Sequence, residues 1–154
     1  MGSTSITDKI SRTRRCLAGS SWQGRMNRVS SVLNRDVKQF GKQFLFDGDD
    51  ETCWNSDQGS PQWILLEFEE EVSVSEIHVQ FQGGFSGKEC WIEAACQGED
   101  LQKIHNFYPE NINPSQVFKL PTQQTLQKMK IVFNSSMDFF GRITIYKLDV
   151  IQSV

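Results

Sequence analysis

The sequence predicts an all-β jelly-roll sandwich, and three observations carry that expectation. Short apolar runs alternate with polar residues at period two. Ile64, Leu66 and Phe68 share one face of a run whose other face holds Leu65 and Glu67, while Ile77, Val79 and Phe81 alternate with His78 and Gln80. Polar turns rich in Gly, Asp, Asn and Pro separate the runs at regular spacing, and some connections are long enough for a strand to return. Finally, a chain of 154 residues with 38% hydrophobic content, 11 Phe and 4 Trp can bury a sizeable core in one domain.

Residues 1–27 are rich in Ser, Thr, Arg and Gly, show no apolar periodicity and read as a flexible basic arm. The basic run at 11–15 reads as a solvated tail, with a nuclear-import patch and a mitochondrial presequence as alternatives. The sandwich is expected over 28–154. Residues 29–33 open it as a strand, and Phe40, Phe44 and Leu45 place a short helical turn near 40–46. Strands follow near 63–68 and 77–82, then at 91–96 and 103–108 around a Gly98-Glu99-Asp100 turn. Two more, at 117–120 and 129–133, are expected on either side of a loop at Pro121. The final strand, 142–150, is apolar on both faces near 143–146, the pattern of a central strand. Glu67, Glu69, Glu70 and Glu71 read as a solvated turn after a strand end.

Charge is unevenly placed. Residues 1–28 hold six Lys/Arg and one Asp, a net +5, which leaves −8 on the rest of a chain whose formal total is −3. An acidic body is repelled by phosphate, so direct binding to nucleic acid or to an anionic membrane is not expected. No apolar run is long enough to span a bilayer, and no hydrophobic segment near Met1 reads as a secretory signal. Cys16, Cys53, Cys90 and Cys96 form no CxxC pair, and with His78 and His105 no metal-type spacing. No cofactor is expected.

The organising stretch lies between Phe46 and Phe68. It begins with the acidic turn Asp47, Gly48, Asp49, Asp50, Glu51, Thr52, in which Asp side chains and Gly favour a tight reversal. Trp54 and Trp63 flank the next loop and are expected to bury their rings where turn meets sheet. An Asp-rich turn, a Thr-x-Trp and a Gln-Trp-Ile strand resemble the discoidin domain, also called the coagulation-factor C domain or galactose-binding-like sandwich. Val32 and Leu33 after two serines, and Phe140, Gly141 and Arg142 leading into Ile143, Thr144, Ile145 and Tyr146, agree with it. The resemblance covers about 28 to the C-terminus and implies a discoidin-type jelly roll. Extracellular members usually clamp their ends with a disulfide; the last strand here carries no cysteine, which points to a reducing compartment.

Each candidate site has a structural alternative. Leu45 and Asp50 carbonyls with Asp47 and Thr52 oxygens suit a Ca²⁺ ion, and discoidin-like carbohydrate modules hold one at the matching turn. The preferred reading is metal-free, with Arg142 from the last strand neutralising the turn. His78 and His105 lie on different strands without triad spacing and are read as structural. The Gly83 to Gly87 loop lacks the Lys-Ser/Thr of a phosphate loop, so no enzyme is expected. Phe85, Ser86, Lys88, Tyr108, Asp138 and Phe139 form the candidate protein-binding loops. Tyr108 and Phe140 are expected to plug the sandwich end; for Phe85, exposure and plugging both stand.

The order of motifs, including Gln80, Phe81, Gln82, Gly83, Gly84 and Phe85, is similar to a small intracellular branch of the family associated with the testicular orphan nuclear receptor. That resemblance implies a monomeric, non-catalytic partner of this receptor, in the nucleus and also the cytoplasm, that represses it by interfering with DNA binding or dimerisation. An acidic body is compatible with masking a basic surface. The competing classes are a glycan- or phospholipid-binding module and an adaptor in a ubiquitin-ligase assembly.

Overall fold

The structure, a computed structural model, describes residues 14–18 and 26–153, the first five and the last as backbone. Among the described residues eight strands run in chain order: β1 (Arg14–Ala18), β2 (Met26–Val29), β3 (Trp54–Asn55), β4 (Gln62–Phe81), β5 (Cys90–Ala95), β6 (Gln102–Phe107), β7 (Gln116–Phe133) and β8 (Thr144–Ser153). The sheet order is β1-β8-β4-β7-β5-β6, with β2 paired to β4 and β3 to β8. All pairings are antiparallel.

Two long strands make the sandwich. The first half of β4 lies between β2 and the second half of β7, which also pairs β5. The second half of β4 lies between β8 and the first half of β7. Both strands therefore serve both layers, and each kinks where the register shifts, between Glu67 and Val72 and again between Val74 and Glu76. Against β8 the second shift is a bulge with one extra β4 residue, and it inverts which parity faces inward: buried positions Ile64, Leu66, Phe68 and Val74 give way to Ile77, Val79 and Phe81.

This corrects the expected break at 67–71. Glu69, Glu70 and Glu71 are exposed, yet they belong to the continuous β4. Pro121 likewise does not end a strand; it sits within β7 between Lys119 and Gln124, where the register with β4 is interrupted and no ladder N–H is required. The 91–96 and 103–108 expectations correspond to β5 and β6, and 142–150 to β8, which is central as expected.

The opening strand lies earlier than 29–33, at Met26–Val29, and Val32 instead precedes a 3-10 turn, Leu33–Arg35. The helical turn near 40–46 is present as α1 (Val37–Phe40) and a 3-10 turn, Lys42–Leu45. Asp36 caps α1 by accepting from the Gln39 N–H. Of the arm expected over 1–27, 1–13 and 19–25 lie outside the described residues, and with them most of the basic run at 11–15. Arg14–Ala18 is strand rather than arm, paired along the outer edge of β8, and Met26 and Asn27 belong to β2. Backbone pairing to an open edge needs no apolar periodicity, so β1 carries no local signature in its residues.

One core fills the space between the layers. Trp54, Phe81 and Phe133 are fully buried, with Phe81 edge-on to Phe133 at 5.9 Å and Trp54 at 6.3 Å from the same ring. The Trp54 indole donates to the Ser31 carbonyl at 2.9 Å. Trp63 departs from the expectation of burial: it faces outward from β4, half-buried, with the Lys130 ammonium 4.9 Å from its ring centre. Cys90 packs in the core, and burial, with Glu89 adding to it, pushes its thiol far above the usual range. Cys53, Cys90 and Cys96 are free thiols. Replacing Phe133 with Ala removes the ring that both other aromatics touch. Urea denaturation should then show a loss of about 3–5 kcal/mol.

Candidate functional site: the aromatic loop end

Four loops meet where β8 begins. The connection before β4 is shaped by Gln62, 5% exposed. Its Nε2 donates to the carbonyls of Asp57 (3.2 Å), Gln58 (3.4 Å) and Gly59 (2.9 Å). Its Oε1 accepts from the hydroxyls of Ser30 (2.5 Å) and Ser31 (2.8 Å). The Gly59 N–H donates to the Phe140 carbonyl at 2.8 Å, joining this loop to the one before β8.

The loop after β4 is tied on both sides. Asn111 accepts from the Gly84 N–H (2.7 Å) and the Ser86 hydroxyl (3.1 Å), and Asn113 from the Gly83 N–H (2.6 Å). The Met137 N–H donates to the Ser86 carbonyl at 2.9 Å, and Gly87 bridges Ser136. Thus the candidate residues after β4 and before β8 share one end of the sandwich, and Tyr108 lies on the loop stapled to them by the two asparagines.

Their exposure divides them. Phe139 is 93% exposed, Tyr108 67% and Phe140 53%. The expectation that Tyr108 and Phe140 plug the sandwich is therefore corrected. The core end is already filled by Trp54, Phe81 and Phe133, and neighbouring Gly and Pro residues reveal a loop but not the direction of its rings. Phe139 and Phe140 meet edge-to-face at 5.2 Å. Phe85 is half-buried, with the Arg142 guanidinium 5.1 Å from its ring centre and 5.8 Å from that of Phe140. Ser86 is fully buried, so its side chain serves the loop rather than a partner, while Lys88 is exposed. Met137 and Ile112, unselected from sequence, add exposed apolar surface.

Arg142 corrects a second expectation. It pairs with Asp138, not with the acidic turn: Nε donates to Oδ2 at 2.9 Å, Nη2 to Oδ1 at 3.2 Å, and the backbone N–H to Oδ2 at 3.1 Å. A four-residue separation across the tip brings the pair together at low chain-entropy cost, where the distant turn would not. These bonds, the guanidinium's first, hold the Asp138 carboxyl below its ordinary value of 3.8, against a smaller opposing effect of burial. The same pairing raises Arg142.

The acidic turn closes on itself. Asp47 accepts from the Asp49 N–H (3.0 Å) and the Thr52 hydroxyl (2.5 Å), and Asp49 from the Glu51 N–H (2.9 Å). Leu45, Asp47, Asp50 and Thr52 thus share one turn, but both Asp47 oxygens are already engaged. Among the described residues no group of three or more His, Cys, Asp and Glu gathers as a metal site. His78 contacts Glu76, two residues before it on the same face of β4, at 2.5 Å, and His105 is half-buried in β6.

Comparison with known proteins agrees with this architecture. A family model described as a NedA-like, galactose-binding domain of the F5/F8 type C class matches residues 44–131. The F5/8 type C domain of a Bacteroides fragilis protein superposes with a TM-score of 0.78 at 14% identity, covering 92% of this chain and 97% of that one. The family 32 CBM of C. perfringens NanJ, solved in complex with galactose, gives 0.70 at 16%, covering 82% and 93%. The chain belongs to the galactose-binding-like, discoidin-type domain family. Within it, the chain is similar over most of its length to nuclear receptor 2C2-associated proteins. Identity is 61% with that of Danio rerio (81% of this chain, 89% of the relative) and 49% with that of Homo sapiens (82% and 90%).

The Asp138–Arg142 pair yields a pH prediction. Asp138 is 11% exposed and Arg142 30%, between a surface and a buried pair, so Asp138→Asn should cost about 1–2 kcal/mol at pH 7. Because the folded-state pKa is depressed, this contribution is present above the ordinary value and lost as pH falls through the folded one. Urea denaturation of both proteins at neutral and acid pH should show the difference shrinking on acidification.

Proposed function

We propose that this protein is a non-catalytic protein-binding module that associates with nuclear receptor 2C2 through its aromatic loop end. The observation that carries the reading is Phe139, 93% exposed on a tip braced by hydrogen bonds to the loops before and after β4 and by its own Ser136–Arg142 and Asp138–Arg142 bonds. Large rings held rigidly in solvent are the residues that anchor protein contacts, because they bury much area at little entropic cost. Relatives named for association with this receptor, at 49–61% identity, support the choice of partner. The consequence we propose is repression, by interference with the receptor's DNA binding or dimerisation, by a monomer acting in the nucleus and also in the cytoplasm. The −8 carried by residues 29–154 favours approach to a basic, DNA-binding surface.

Phe139→Ala combined with Phe140→Ala should weaken capture of purified nuclear receptor 2C2 by about thirtyfold, the effect of losing an anchor worth roughly 2 kcal/mol. The melting temperature should hold, because neither ring belongs to the core. Titration with galactose and with phosphatidylserine vesicles tests the competing class. Saturable binding of either that the double change abolishes, with receptor capture intact, would overturn the proposal.

A further inference from the structure

Resting on that reading, we infer that Gln62 and the Gly59–Gly141 contact are positioning residues for the Phe139–Phe140 anchor. Neither carries an exposed ring, and their effect on partner binding passes through the tip.

The geometry forms a continuous chain of contacts. Gln62 is a buried carboxamide with both ends satisfied, two hydroxyls on Oε1 and three successive loop carbonyls on Nε2. Three carbonyls sharing the two hydrogens of one part-buried Nε2 tie residues 57–59 to a side chain that is itself fixed in place, and so set the path of that loop. Ser31 adds to the brace by accepting the Asp57 N–H at 3.0 Å. That path presents Gly59 to the tip, where its N–H bonds the Phe140 carbonyl at 2.8 Å.

The approach on the other side is closer than any side chain permits. Gly141 has φ +85°, and a Cβ built there would lie 2.6 Å from the Gly59 oxygen and 2.8 Å from both the Gly59 carbon and the Ser60 hydroxyl. The neighbour is backbone, so it cannot swing aside. Glycine at 141 therefore serves two purposes: it allows the left-handed turn closed by its own N–H on the Asp138 carbonyl at 3.0 Å, and it lets that turn seat on Gly59. The two exposed rings immediately precede it. Seating the turn fixes where Phe140 and Phe139 project, which is pre-organisation of a contact rather than part of it.

A double-mutant cycle tests this, because a residue acting through the rings must lose its effect when they are absent. Gly141→Ala and Gln62→Glu, the latter isosteric but deprived of the Nε2 donors, are each made with Phe139 and Phe140 present and with both replaced by Ala. Dissociation constants for purified nuclear receptor 2C2 are corrected for the folded fraction. With the rings present, each change should weaken binding roughly tenfold; without them it should add less than about twofold. Equal losses in both backgrounds, or no loss with the rings present, would overturn the positioning role. If the ring replacement itself leaves capture unchanged, the loop-end reading fails instead, and the two failures are distinguishable. Should Gly141→Ala not fold, Ser31→Ala, which removes one brace of Gln62 and of Asp57, takes its place with the same expected pattern.

Discussion

The structure depends on the antiparallel pairing of β4 with β7. These are the two longest strands, and their ladder runs from Gln62 opposite Phe133 to Val79 opposite Gln116, interrupted only at the two register shifts. Because each strand passes from one layer to the other, their shared ladder holds the layers face to face. The inner residues of both halves then meet in one hydrophobic cluster. Charged residues lie at the kink, where Glu69, Glu70 and Glu71 reach solvent, while the strand on either side is buried. A kink of this kind lets a sheet turn a corner without ending, so no edge opens in the middle of the sandwich.

From that ladder follow two unlike ends. At the kinked end lie the three glutamates and the β5–β6 turn with Glu99 and Asp100. At the other, where β4 starts and finishes and β8 begins, the loops are rich in small and amide residues that make hydrogen bonds and leave their aromatics outside. The difference is one of satisfied groups. Ser30, Ser31, Gln62, Asn111, Asn113 and Ser136 meet the loop backbone's needs from within, so Phe139, Phe140 and Tyr108 are not needed to seal the core.

The tip shows how short-range chemistry prevails over long-range charge. A guanidinium can neutralise any carboxylate within reach, yet Arg142 takes the one four residues away, in a geometry that also uses its backbone N–H. The acidic turn needs no such partner, because Asp47 and Asp49 spend their oxygens on neighbouring N–H and hydroxyl groups. Its exposed charge adds to a negative body that bears on encounter rather than on stability.

The sequence by itself determined the all-β class, the inner residues Ile64, Leu66, Ile77, Val79 and Phe81, the helical turn before the acidic loop, and the central place of the last strand. These are local properties: side-chain parity and turn chemistry are written in neighbouring residues. Tertiary structure alone decided what depends on distant partners. It joined 62–81 into one strand across a glutamate run, because the ladder with β7 resumes on both sides of it, at Glu67 and at Val72, and Gln127 donates to the Phe68 and Glu69 carbonyls between. It placed Trp54 inside and Trp63 outside, although both are tryptophans beside the same loop, since only one faces Phe133. Gln62 reads in sequence as a polar residue opening a strand, yet the convergence of residues 30, 31 and 57–59 makes it a buried centre of the loop end. Whether a ring points into a core or out of it depends on what else fills that core, and no local pattern records that.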